Sequence, residues 1–137
     1  DEFQHYVYEN PEVTPEKRKE KWREIEKKYL PHRDYEDNDF LNRGGMWFRQ
    51  GHIFQVPFYY IDYTLAQICA LQFWVKNNKN HESAWKDYLK LCKEGGSKSF
   101  TKLLQVAGLK NPFNEGSIVE VSIEVRKWLE NVNDLEL

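Results

Sequence analysis

From Pro57 to Val75 the chain is apolar or aromatic at most positions, with Asp62 and Gln67 as interruptions. Proline suits the first turn of a helix, where its missing N–H would have no intrahelical partner anyway. The stretch reads as one long helix from Pro57 to about residue 77, broken by Asn77-Asn78-Lys79-Asn80, and a helix so apolar is expected to be buried. It is not a membrane span, which takes roughly 18 to 20 apolar residues in succession. Its entrance nevertheless carries His52, Tyr59, Tyr60 and Tyr63. Polar side chains on a buried segment need partners or a purpose.

The rest of the chain shows the same helical period. Phe3, Tyr6 and Val7 share a face that Asn10-Pro11 closes, because a residue before proline avoids the α region. Thr14 is placed to cap a second helix over residues 15 to 29, with Pro15 at its first position and Glu16 at its positive end. Trp22, Ile25 and Tyr29 form a thin apolar stripe there, and pairs such as Glu24 with Lys28 would add roughly 0.2 to 0.5 kcal/mol each. Residues 31 to 45 read as a loop, and loops that long are often functional. Asn80 is placed to cap a helix over 81 to 93 with Trp85, Tyr88, Leu89 and Cys92 on one face, ended by Gly95-Gly96 in the left-handed conformation. Ser97 would cap a fifth, carrying Phe100, Leu103, Leu104 and Ala107. After a turn at Asn111-Pro112, Ser117 and Glu120 match a capping box for a sixth, with Val121, Val125, Trp128 and Leu129 on one side. No strand pattern or fixed-period repeat competes. The expected fold is all-α, a bundle of about six helices, and 137 residues suit a single unit over 1–137.

Several function classes lose ground on composition. A net charge of -2 creates no basic surface, and the Lys and Arg of residues 17 to 28 are interleaved with Glu16, Glu20, Glu24 and Glu26, so a nucleic-acid partner is not expected. Neither is a membrane. Cys69 and Cys92 form no metal-type cluster and read as reduced thiols of a cytoplasmic protein. Among the four histidines, His81-Glu82-Ser83-Ala84-Trp85 comes nearest to a helical zinc motif, but tryptophan stands where the second histidine belongs. No metal ligands are assigned to this chain. It also lacks a nucleophile elbow and a phosphate-binding glycine loop.

The tyrosines are more informative. Tyr63 lies four residues after Tyr59 and three after Tyr60, so it shares a helical face with both, and His52 precedes them in an expected loop. Phenol and imidazole donors converging on one point would stabilise an oxyanion. Taken by themselves, the residues fit better as amphipathic core residues with satisfied hydroxyls, and His52 as a capping group.

The residues themselves resemble a family. Trp47-Phe48-Arg49-Gln50-Gly51-His52-Ile53-Phe54, then Pro57-Phe58-Tyr59-Tyr60-Ile61-Asp62-Tyr63-Thr64-Leu65-Ala66-Gln67, is similar to the C-terminal part of the oligoendopeptidase F group of M3, thimet-oligopeptidase-like zinc metallopeptidases. The likeness extends through Asp1-Glu2-Phe3-Gln4-His5, Tyr29-Leu30-Pro31-His32-Arg33-Asp34-Tyr35 and Gly95-Gly96-Ser97-Lys98-Ser99-Phe100. It implies a mostly helical wall of a deep cleft, facing a zinc ion that other parts of the enzyme hold. The resemblance implies that His52, Tyr60 and Tyr63 act on the scissile carbonyl and the tetrahedral intermediate. It makes Tyr59, with His52, substrate-binding, and leaves open which of Tyr59 and Tyr60 meets the intermediate. The implied substrates are oligopeptides, with zinc as the cofactor of the intact enzyme and none bound by this chain. Since the chain opens on Asp1 inside a helical pattern, it is expected to be a C-terminal fragment, inactive alone, whose partner is the missing N-terminal part of the same protein. Apolar surface uncovered in that way would favour self-association. The alternative is a non-catalytic helical interaction module.

Overall fold

The structure, a computed structural model, describes residues 1–133. Among them are eight α-helices and one 3-10 turn, with no strand. Helices α1 (Glu2–Glu9), α2 (Pro15–Tyr29), α5 (Tyr60–Lys79), α6 (His81–Glu94), α7 (Phe100–Val106) and α8 (Ser117–Asn131) are the six expected. Two short ones, α3 (Asp39–Asn42) and α4 (Gly51–Gln55), flank the 3-10 turn Gly45–Arg49 and replace part of the expected loop. The chain divides into two compact units, Asp1–Asp62 and Tyr63–Leu137.

In the first unit α1 packs on α2, and α2 on the 3-10 turn. The buried Phe3 ring stands edge-on to Trp22 at 5.2 Å and lies 5.3 Å from Trp47, which in turn stacks on Phe48 and Phe54. Gly44 lets the turn approach: its φ of 95° suits glycine, and a Cβ there would collide with the Lys19 carbonyl of α2. Thr14 caps α2 as expected, accepting from Lys17 N at 3.3 Å. The Glu24–Lys28 pair does not form. Lys28 bonds Glu2 of α1 at 2.9 Å, and Glu24 takes Lys21. Glu26, only 5 % exposed, is an unexpected buried carboxylate held by Arg23, Arg33 and the Tyr35 hydroxyl.

In the second unit the core comprises Ile68, Ala84, Leu104, Ala107 and Val121. Phe73 meets Tyr88 and Trp74 meets Trp128, both edge-to-face at 5.6 Å. Asn80 caps α6, accepting from Ser83 N at 2.9 Å. Lys76 joins three elements, binding Asp87 at 2.8 Å and the carbonyls of Ala107 and Gly108 at the end of α7.

Other expectations are corrected. Ser117 does not cap α8: Gly116, at φ 77°, precedes the helix, and the buried Ser117 hydroxyl turns back to donate to Asn114 O at 2.8 Å. Helix α7 begins after Ser99 rather than Ser97, and Gly95 has a positive φ of 55° but a ψ of -133°, outside the left-handed helical region. The long helix begins at Tyr60, not Pro57, and of its residues only Ile68 and Gln72 are buried.

Candidate functional site

The turn that delays α5 is also what builds the site. Phe58 has a φ of 63°, a left-handed conformation that costs a non-glycine residue, so the helix that Pro57 would have started cannot run through it. The chain instead leaves α4 at Val56, turns through Pro57–Tyr59 and enters α5 at Tyr60. That turn folds the end of the segment back beside α4. Three of the expected site residues come together as a result, all within the first unit.

His52 lies in α4, not in an open loop. Its ring is half-buried and meets Tyr60 edge-to-face at 4.5 Å between centroids, while Tyr59 stacks on it at 5.5 Å with an interplanar angle of 18°. Tyr60 is half-buried and donates its hydroxyl to Gln50 Oε1 at 2.9 Å. Tyr59 is 42 % exposed. An imidazole and two phenols, one of them oriented by a glutamine, make a compact set of hydrogen-bond donors with a water-facing side. Tyr63 opens the second unit, one turn further along α5, and is 53 % exposed. It belongs to the part of the helix described with that unit.

Beneath the site, Phe58 is anchored twice. Its N–H donates to Oε1 of the buried Gln4 at 2.8 Å, and its ring lies between those of His5 at 4.8 Å and Tyr8 at 5.3 Å. Neither Gln50 nor Gln4 carries a signal in the sequence that marks it as part of a site. The only hint is that both lie inside the two segments, 1–5 and 47–54, on which the family likeness rests.

With this geometry in place, comparison with known proteins is decisive for the family: residues 1–122 match the model of peptidase family M3. The chain belongs to peptidase family M3. Among solved structures it is similar to one described as an oligoendopeptidase F, with 56% identity and a TM-score of 0.91 over 99% of this chain and 24% of that one. It is equally similar to PZ peptidase A with an inhibitor, at 56% identity and TM-score 0.91 over 97% of this chain and 24% of that one. An oligoendopeptidase F from Bacillus anthracis str. Ames matches at 51% identity and TM-score 0.74, over 99% of this chain and 21% of that chain. The 137 residues thus span about a quarter of the length of the M3 structures they resemble. No curated protein matches the chain.

By the resemblance M3 peptidases are zinc enzymes, and a zinc site needs several His, Cys, Asp or Glu ligands close together. Among the described residues no three His, Cys, Asp or Glu side chains come together as a metal would require. His5 is taken up by Asp1 at 3.3 Å and by the Phe58 ring, and His81 by Asn77 at 2.7 Å. The described residues do not fit a zinc ion. No described helix is long and apolar enough to cross a membrane.

Proposed function

We propose that this chain supplies one wall of a zinc-dependent oligoendopeptidase active site that hydrolyses internal bonds of short peptides. In that reading His52, Tyr60 and Tyr63 donate hydrogen bonds to the scissile carbonyl as it becomes an oxyanion, and Tyr59 with His52 holds the substrate. Membership of M3 and the likeness to oligoendopeptidase F structures support the reaction class. The observation that carries the residue roles is the packing of the His52 ring against Tyr60 at 4.5 Å.

When a peptide carbonyl is attacked, its oxygen gains negative charge and loses its double bond. Donors already fixed where that charge develops stabilise the transition state more than the ground state. Tyr60 has a single hydroxyl proton, and at rest Gln50 Oε1 accepts it. A phenol oxygen can also accept, so rotation of the Gln50 amide to offer its NH2 frees that proton for the substrate without leaving Tyr60 unpartnered. In the same reading His52 donates an imidazole N–H, and Tyr63 follows Tyr60 by three residues in the helix. The Tyr59 ring, 42 % exposed, is suited to contact with an apolar peptide side chain.

The remaining length of an M3 peptidase would be supplied by the same protein and would carry the metal ligands. The 137 residues alone are then expected neither to bind zinc tightly nor to cleave peptides, and chelator-sensitive cleavage by the purified chain would refute this. The reading places the protein in the cytoplasm, in keeping with two free cysteines, Cys69 and Cys92.

Removing one oxyanion donor costs on the order of 10²-fold in kcat. Tyr60→Phe, Tyr63→Phe and His52→Gln, made in the whole enzyme, are each expected to lower kcat by about that factor while bound zinc stays at the wild-type level. A variant with wild-type kcat removes its residue from the mechanism.

A further inference from the structure

We infer that Gln4 is a positioning residue for the His52–Tyr60 pair: its buried amide clasps the strained turn at Phe58 and so fixes α4 against the start of α5. The inference rests on the functional reading above and adds a residue to it. Three independent features meet at one turn. Phe58 holds a φ of 63°, which a phenylalanine adopts only when its surroundings compel it. Its N–H is bound at 2.8 Å by Oε1 of Gln4, a polar residue of α1 that is 3 % exposed and lies 54 positions away in the chain. Its ring is held between His5 and Tyr8 of the same helix.

Turn geometry decides where His52 points. Residues 56–59 are the only backbone between α4, which carries His52, and Tyr60, the first residue of α5. If Phe58 relaxes to a negative φ, the chain direction after Val56 changes, and the imidazole and the phenol separate. Nothing local prevents that relaxation, since a left-handed phenylalanine is less stable than an extended one. The opposing force comes from α1. Gln4 can serve here because an amide oxygen accepts strongly without charge, which would be costly at a site this buried. Gln4 acts on His52 and Tyr60 through Phe58, whose N–H it binds.

The test uses the full-length enzyme. Gln4→Met keeps the length and apolar bulk of the side chain but removes the acceptor, whereas Gln4→Glu keeps an oxygen at the same reach. Gln4→Met is expected to speed amide hydrogen exchange in residues 56–60 by about tenfold, the effect of losing one buried hydrogen bond. It should lower kcat by about 10- to 100-fold with KM changed less than twofold, the range for a small misplacement of reacting groups. Gln4→Glu is expected to recover only part of the loss, since it restores the acceptor but places a charge where burial makes one costly. Combined with His52→Gln, Gln4→Met should add less than a twofold loss, because the two act on one interaction.

Unchanged exchange at 56–60 with unchanged kcat overturns the inference, as do losses that multiply in the double variant. A His52→Gln enzyme with wild-type kcat overturns the oxyanion reading and Gln4's part in turnover with it. A His52→Gln enzyme that is impaired, beside a Gln4→Met enzyme that is not, overturns the role of Gln4 alone. Should Gln4→Met fail to fold, Tyr8→Ala removes one ring from Phe58 at an exposed position and leaves the amide intact. It is expected to lower kcat about threefold with faster exchange at 56–60, and unchanged exchange there overturns the inference.

Discussion

Glu26→Ala is the substitution that should damage the first unit most. The carboxylate is 5 % exposed and takes Arg23 Nη1 on Oε2 at 2.8 Å and the Tyr35 hydroxyl on Oε1 at 2.6 Å, with Arg33 Nη1 at 3.6 Å. Arg33 is more solvated and more distant, so it contributes little. Arg23 is the critical partner, its side chain 14% exposed. Removing Glu26 leaves that guanidinium buried without its counter-charge, with only Arg33 O at 3.5 Å and the Tyr35 ring as partners, which costs about 3 to 5 kcal/mol, and takes the acceptor from the Tyr35 hydroxyl as well. With a urea dependence of about 1 to 3 kcal/mol per molar, the midpoint should fall by about 2 M. Trp22 and Trp47 lie in this unit and report its unfolding by fluorescence. Arg23→Leu added to Glu26→Leu is expected to recover most of the loss, because a buried pair can be replaced by packed apolar residues at little cost. A midpoint shift below about 0.3 M for Glu26→Ala, or a double variant as unstable as the sum of the two, would refute the argument.

Two further predictions concern the second unit. Lys76 first, and then Lys90, hold the Asp87 carboxyl down to about 2 through hydrogen bonds. A carboxylate whose folded value lies below its unfolded value of about 3.9 contributes stability that is complete above pH 4 or so and is lost as pH falls towards 2. Asp87→Asn should therefore lower the urea midpoint at pH 7 and match the wild type near pH 2, and parallel curves at both pH values would refute the assignment. Gln72, 6 % exposed, uses both ends of its amide on one residue, donating to Lys110 O at 3.0 Å and accepting from Lys110 N at 2.7 Å. Gln72→Leu leaves two backbone groups without their partner and is expected to cost about 2 to 4 kcal/mol, read as a drop in denaturation midpoint; a loss below about 0.5 kcal/mol would show that water replaces the amide.

What the sequence made legible was what short range decides. Thr14 and Asn80 cap their helices because a cap needs only a side-chain oxygen and an N–H three residues on, and Asn10-Pro11 stops α1 for a reason contained in two residues. Ser117 fits the same local rule yet fails, because Gly116 takes φ 77° and carries the serine one step inside the helix, where its hydroxyl meets Asn114 O. Glu26 was hidden for the opposite reason. It sits among alternating charges on α2, and only the return of Arg33 and Tyr35 from the following segment sets it apart from Glu20 or Glu24.

The same division explains the site. His52 and the tyrosines were visible as polar groups in an apolar setting and through the family likeness, but Gln4 and Gln50, the two amides bonded to that turn and its phenol, were not. Burial of the long helix is where the reasoning from hydrophobicity went too far. An apolar face is buried only if something covers it, and within these residues Ile61 and Tyr63 of α5 remain exposed, as do Trp85, Tyr88 and Leu89 of α6. The M3 structures to which the chain is similar are about four times as long. The demand that buried polar groups find partners held at Gln72, which is buried and bound to Lys110, and failed at the buried indole N–H groups of Trp22 and Trp47, which have no hydrogen-bond partner; Gln67, the interruption first visible in the sequence, is exposed to water.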